Sequence, residues 1–98
     1  MGTNAKKEVK QWAQNYKKAL KYLDSCRTFT YDNLVKANQI AGSPIPESDL
    51  RQMWEQSKYI LPTGGEPGGV EFIRQTMRNT LIESISTFER LARELGKK

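Results

Sequence analysis

The chain has 98 residues, with 16 Lys plus Arg against 11 Asp plus Glu, no histidine and one cysteine. That length suits a single domain with a small core, to which a second copy would add stability. Without histidine the commonest general base and metal ligand are absent, and Cys26 alone can neither close an internal disulfide nor build a structural zinc site.

The remaining candidates for catalysis are weak. Serine and threonine need an oriented neighbouring base to act as nucleophiles, and the carboxylate pairs Glu47/Asp49 and Glu89/Glu94 read as helix-surface charges. The glycines between 64 and 69 lack the Gly-Lys-Ser/Thr ending of a phosphate loop. No enzyme activity, cofactor or metal is expected. No apolar run approaches the ~20 residues of a membrane span, and no signal-peptide pattern opens the sequence. A cytoplasmic, reducing location without integral membrane association is therefore expected. The formal net charge of +5 favours anionic partners.

The first element is a helix over 6–25. Val9, Trp12, Ala13, Tyr16, Ala19, Leu20 and Leu23 recur at the spacing of one helical face. At about 100° per residue, Lys6, Lys10, Lys17 and Lys21 share a stripe turned away from that face, flanked by Lys7 and Lys18. The helix is thus basic and amphipathic. Residues 1–29 hold seven positive and two negative side chains.

Arg27-Thr28-Phe29-Thr30 reads as a short β-prone stretch, with Thr30 as N-cap of a helix through Leu34, Val35, Ala37 and Ile40. Gly42 is a candidate C-cap, and Pro44 and Pro46 prevent continuation. A third helix is expected over 48–59, with Ser48 as N-cap and Leu50, Met53, Trp54, Ser57 and Leu61 on its inner side. Its outer side carries Arg51, Gln52, Glu55, Gln56, Lys58 and Tyr59.

Tyr59-Ile60-Leu61 and Val70-Glu71-Phe72-Ile73 flank a glycine-rich stretch and fit either the arms of a β-hairpin or a plain loop running into the last helix. That last helix, over 70–96, keeps helical period through Ile73, Met77, Leu81, Ile85, Phe88, Leu91, Ala92 and Leu95. Glycine and lysines follow its end, as a helix C-terminus favours. Phe72 and Ile82 lie off its main face, and with Ile85 they are the candidate contacts of a homodimer through this helix.

Taken together, the class is mainly α, with four helices in one domain and a winged-helix-like core over 28–73. Thr28-Phe29-Thr30-Tyr31-Asp32-Asn33-Leu34-Val35, the turn Gly42 to Pro46, the helix Ser48 to Tyr59 and the glycine-tipped segment Tyr59 to Gly65 resemble a winged helix-turn-helix DNA-binding module. The resemblance covers about two-thirds of the chain once the first helix is included, and it lies in architecture. It implies that 48–59 is a recognition helix in the major groove of duplex DNA, with Arg51, Gln52 and Gln56 facing bases. Lys58, the hairpin tip and the lysines at 6, 10, 17, 18 and 21 would then meet phosphates. A regulatory, replication-associated or mobile-element role fits such a module.

Charge is distributed differently from that expectation. Residues 30–69 carry three positive and five negative side chains, including Glu55 on the reading face and Glu66 at the tip. Anionic partners should therefore be sought first at the N-terminal helix. The alternative reading is a helical protein–protein interaction module, an assembly adaptor or inhibitor that touches no nucleic acid.

Overall fold

A computed structural model describes the backbone of residues 2–65 and 67–96. Among them four α-helices run in chain order: α1 (Gly2–Ser25), α2 (Tyr31–Ile40), α3 (Glu47–Gln56) and α4 (Gly69–Gly96), with a 3-10 turn at Ser57–Tyr59 after α3. Glu66 at the expected tip and Lys97 and Lys98 beyond α4 lie outside the described residues.

The architecture follows from helix length. With 24 and 28 residues, α1 and α4 reach about 36 and 42 Å at 1.5 Å per residue, and they pack antiparallel as a stem in a molecule 48 Å long. One end of the stem is covered by α2 and α3. There Ala19 and Leu23 of α1, Leu34 and Ala37 of α2, Leu50 of α3 and Ile73, Met77 and Leu81 of α4 form one buried cluster. Toward the other end, Val9, Ala13, Ile85 and Ala92 are buried along the α1–α4 seam. The i, i+4 series Ile73, Met77, Leu81 and Ile85 is the apolar period expected for the last helix, and all four side chains are buried.

Local chemistry sets the helix ends. Thr30 is the N-cap of α2: the Asn33 N–H donates to Thr30 Oγ1 at 3.3 Å, and the Thr30 N–H donates to Asn33 Oδ1 at 2.9 Å, a reciprocal capping box. At the other end, Gly42 (φ 99) takes the left-handed conformation that releases the chain. The Ser43 N–H donates to the Asn38 carbonyl (2.8 Å) and the Gly42 N–H to that of Gln39 (3.0 Å), a Schellman closure. Buried Asn38 then pins the following turn, accepting from the Ile45 N–H (3.1 Å) and donating to the Ile45 carbonyl (2.8 Å).

Four expectations about this region are corrected. The N-cap of α3 is Pro46 rather than Ser48, because the Pro46 carbonyl, fixed by the pinned turn, accepts from Asp49 and Leu50 N–H groups at 3.0 and 3.1 Å. The third helix stops at Gln56, where the chain tightens into the 3-10 turn and Ser57 Oγ donates back to the Trp54 carbonyl at 2.6 Å. Leu61, expected inside, is 76% exposed because it lies beyond that turn. Thr28-Phe29-Thr30 is irregular rather than extended pairing, with Phe29 buried under the Arg74 guanidinium, 5.1 Å from its ring centroid.

The glycine-tipped hairpin is not formed. Among the described residues, 60–68 contain no strand beyond a lone bridge position at Thr63, and the expected second arm, Val70 to Ile73, belongs to the first turns of α4. Burial of Ile73 and partial burial of Val70 and Phe72 against the core reward the helical register that continues through Met77. Pro62 lacks a ladder donor, and Gly69 at φ 61 turns the chain into the helix while its N–H donates to the Ile60 carbonyl at 3.0 Å.

Candidate functional site

The lysines of α1 form the densest set of cations on one element. Along its axis, Lys6, Lys10 and Lys17 lie on one edge of the helix within about 16 Å. That edge borders α4 instead of pointing directly away from the seam, which corrects the sequence expectation. Together with Gln14 and Arg93 these three lysines surround a groove of about 540 Å³ whose floor is Ala13, Phe88 and Ala92. Ala13 and Ala92 are buried small side chains, and their size leaves the cleft open between the two helices.

Each charged group of the groove has a distinct setting. Lys17 Nζ donates to Glu89 Oε2 at 2.9 Å, joining residues 72 positions apart, and both side chains remain about half exposed. Among the described residues, Glu89 is the lone carboxylate of the lining. The Lys6 ammonium lies beside Gly96 at the end of α4, so close that a β-carbon there would stand 2.7 Å from Nζ. A cation at that position complements the negative end of the helix dipole. Lys10 and Arg93 are exposed and form no ion pair with a described residue. Lys18 and Lys21 are likewise exposed and form no ion pair with a described residue, but they stand outside the groove.

On α3 the expected base-facing residues Arg51, Gln52 and Gln56 are all exposed. Their electrostatic setting is neutralised. Arg51 approaches Glu47 at 3.6 Å and Lys58 donates to Glu55 at 3.1 Å, so both cations at this helix are engaged by carboxylates one turn away. Lys58 thus differs from the α1 lysines grouped with it. Helix α3 packs against α2, the 3-10 turn and α4 rather than forming a shared face with α1.

The candidate dimer contacts separate. Ile85 is 8% exposed and buried within its own chain, so it offers nothing to a partner, and Phe72 is half-buried against the core. Ile82 is 40% exposed. Other large apolar side chains at the surface are Trp12, Leu91, Tyr59 and Leu61; Trp12, expected in the core, keeps one side against Phe88 at 5.7 Å between ring centroids.

Sequence patterning does not identify Gln14, Glu89 and Arg93 as groove residues, because their meeting depends on the α1–α4 register. Among the described residues, Tyr16 is the titratable group whose pKa departs from its usual range, raised by burial beside Phe88, a packing role at 5.0 Å and nearly perpendicular rings. No group of three or more His, Cys, Asp or Glu among the described residues is arranged to hold a metal ion, and no helix there is long and apolar enough to cross a membrane. No family model, curated protein or solved structure matches the chain.

Proposed function

We propose that the protein binds nucleic acid, specifically duplex DNA, with α1 supplying the phosphate contacts. The observation that carries this reading is the contrast in pairing between helices. Lys10, Lys18 and Lys21 of α1 are exposed without a carboxylate partner among the described residues, whereas Arg51 and Lys58 at α3 are each engaged by one. Uncompensated cations release counterions when they meet phosphates, and that release dominates non-specific affinity. Arg51, Gln52 and Gln56 remain the groups assigned to base edges, with weaker charge support than a recognition helix normally has.

The test is the salt dependence of binding to a random-sequence duplex. Affinity should fall steeply with salt, and each of Lys10→Ala, Lys18→Ala and Lys21→Ala should flatten the log–log slope by about 0.9. Failure to bind any duplex at low salt would overturn the reading.

A second reading is supported by exposed apolar side chains. Tyr59 and Leu61 are 82% and 76% exposed on either side of half-buried Ile60, and α4 exposes Ile82. A helical interaction module, an adaptor or inhibitor with a homodimer through α4 as its simplest assembly, would cover them. Sedimentation of the wild type against Leu61→Glu and Ile82→Glu tests it: a lighter species in either variant supports this reading, and unchanged monomer mass removes the homodimer.

A further inference from the structure

We infer that the α1–α4 groove seats the phosphodiester backbone of a bound duplex, and that Glu89 occupies on Lys17 the place a phosphate takes, lowering the affinity of the free protein. This rests on the nucleic-acid reading above and adds the seat and a built-in competitor to it.

Convergence is the first argument. Lys6, Lys10 and Lys17 from one helix and Arg93 from the other meet around one cleft, against Glu89 as the one carboxylate among the described lining residues. Cations supplied by two elements around a concavity reinforce one another's field more than the same charges spread on a convex face. Lys10 and Arg93 have no described carboxylate to satisfy them, and the exposed amide of Gln14 adds a neutral donor at the edge.

Dimensions are the second. The lysine edge from Lys6 to Lys17 covers about 16 Å, and successive phosphates of one DNA strand advance about 3.4 Å along the duplex axis. The edge is therefore long enough to meet several phosphates of the duplex backbone. With the small side chains of Ala13 and Ala92 as floor, the cleft of about 540 Å³ has room for an oxygen-bearing group.

A carboxylate on an ammonium at 2.9 Å has the charge and acceptor geometry of a phosphate oxygen. With side chains 45% and 49% exposed, such a pair is screened by solvent and weak, so phosphate can displace it at small cost. The α1–α4 register does not depend on it alone, since Asp24 and Arg78 also join the two helices.

The decisive variant is Glu89→Gln, with Glu55→Gln as the like-for-like control that changes net charge equally and frees Lys58 on α3. Fluorescence anisotropy with a random 20-base-pair duplex should show Glu89→Gln binding about two- to fivefold tighter than wild type, and Glu55→Gln gaining less. In parallel, inorganic pyrophosphate titrated against the amide NMR spectrum should perturb residues around Lys10, Lys17 and Arg93. Equal gains for the two variants, pyrophosphate shifts centred elsewhere, or capture by phosphatidylserine vesicles in preference to duplex would overturn the inference. Pyrophosphate seated in the groove with no duplex binding would overturn the nucleic-acid reading and retain the groove as an anion seat.

Discussion

Arg78 Nε donates to Asp24 Oδ1 at 2.6 Å across the seam of α1 and α4, joining residues 54 positions apart. The pair alternates in sign with Lys17–Glu89 further along the seam: α1 supplies the acid in one and the base in the other. Sliding α1 along α4 would break both pairs, so charge adds to register where the apolar seam of Val9, Ala13, Ile85 and Ala92 is built from modest side chains. Asp24→Arg is expected to cost about 1 kcal/mol, combining the lost surface pair with repulsion of Arg78. The exchange Asp24→Arg with Arg78→Asp should recover most of that loss in urea denaturation. A double variant no better than the sum of its singles would show that the pair does not couple the helices.

Gly68 is the tightest backbone position of the loop before α4. A β-carbon there would stand 2.6 Å from Pro62 N and 2.7 Å from the Ile60 carbonyl oxygen, main-chain atoms that cannot rotate aside. Gly64, at φ 50, has open space around it, so alanine there meets only backbone strain. Gly68→Ala should therefore destabilise by about 1–3 kcal/mol, and Gly64→Ala by about 1 kcal/mol. Equal midpoints for the two variants would contradict this ranking.

This loop also marks where sequence reasoning loses its grip. Thr30 as a cap and Ile73, Met77, Leu81 and Ile85 as one buried face are legible because capping and helical period act within a few residues. Val70 to Ile73 are β-prone taken alone, and their helical state is decided by burial of Ile73 in a core contributed by all four helices. Arg51–Glu47 and Lys58–Glu55 are local pairs at i, i+4 and i, i+3 spacing. By contrast, Lys17–Glu89 spans 72 positions, and no local rule says which helix will lie beside the lysine edge.

Tyr16 gives the protein an alkaline dependence with a definite sign. Burial beside Phe88 raises its phenol above the ordinary value of 10.0, so the folded state favours the protonated form. The resulting stabilisation is fully present below the unfolded pKa and is lost as pH rises through the raised folded value. Thermal midpoints of wild type should therefore fall more between about pH 9 and about pH 11 than those of Tyr16→Phe, which cannot ionise there. Parallel declines in the two proteins would assign the alkaline loss to other groups.

Ile82 and Ile85, three residues apart on α4, are expected to respond oppositely to truncation and to concentration. Ile85 is 8% exposed on the α1 side, and Ile85→Ala removes packed methyl groups from a seam that α1 cannot easily close, at a cost of about 2–4 kcal/mol. That is a large part of the about 5–15 kcal/mol available to a domain of this kind, and the loss should be the same at every protein concentration. Ile82 is 40% exposed, so Ile82→Ala should cost the monomer less than about 1 kcal/mol. If a second copy covers Ile82, the wild-type thermal midpoint rises with protein concentration and the variant's does not, because association stabilises only what it buries. Scanning calorimetry of both variants over a wide concentration range separates the two roles. A large, concentration-independent loss for Ile82→Ala would place that side chain in the intrachain core instead.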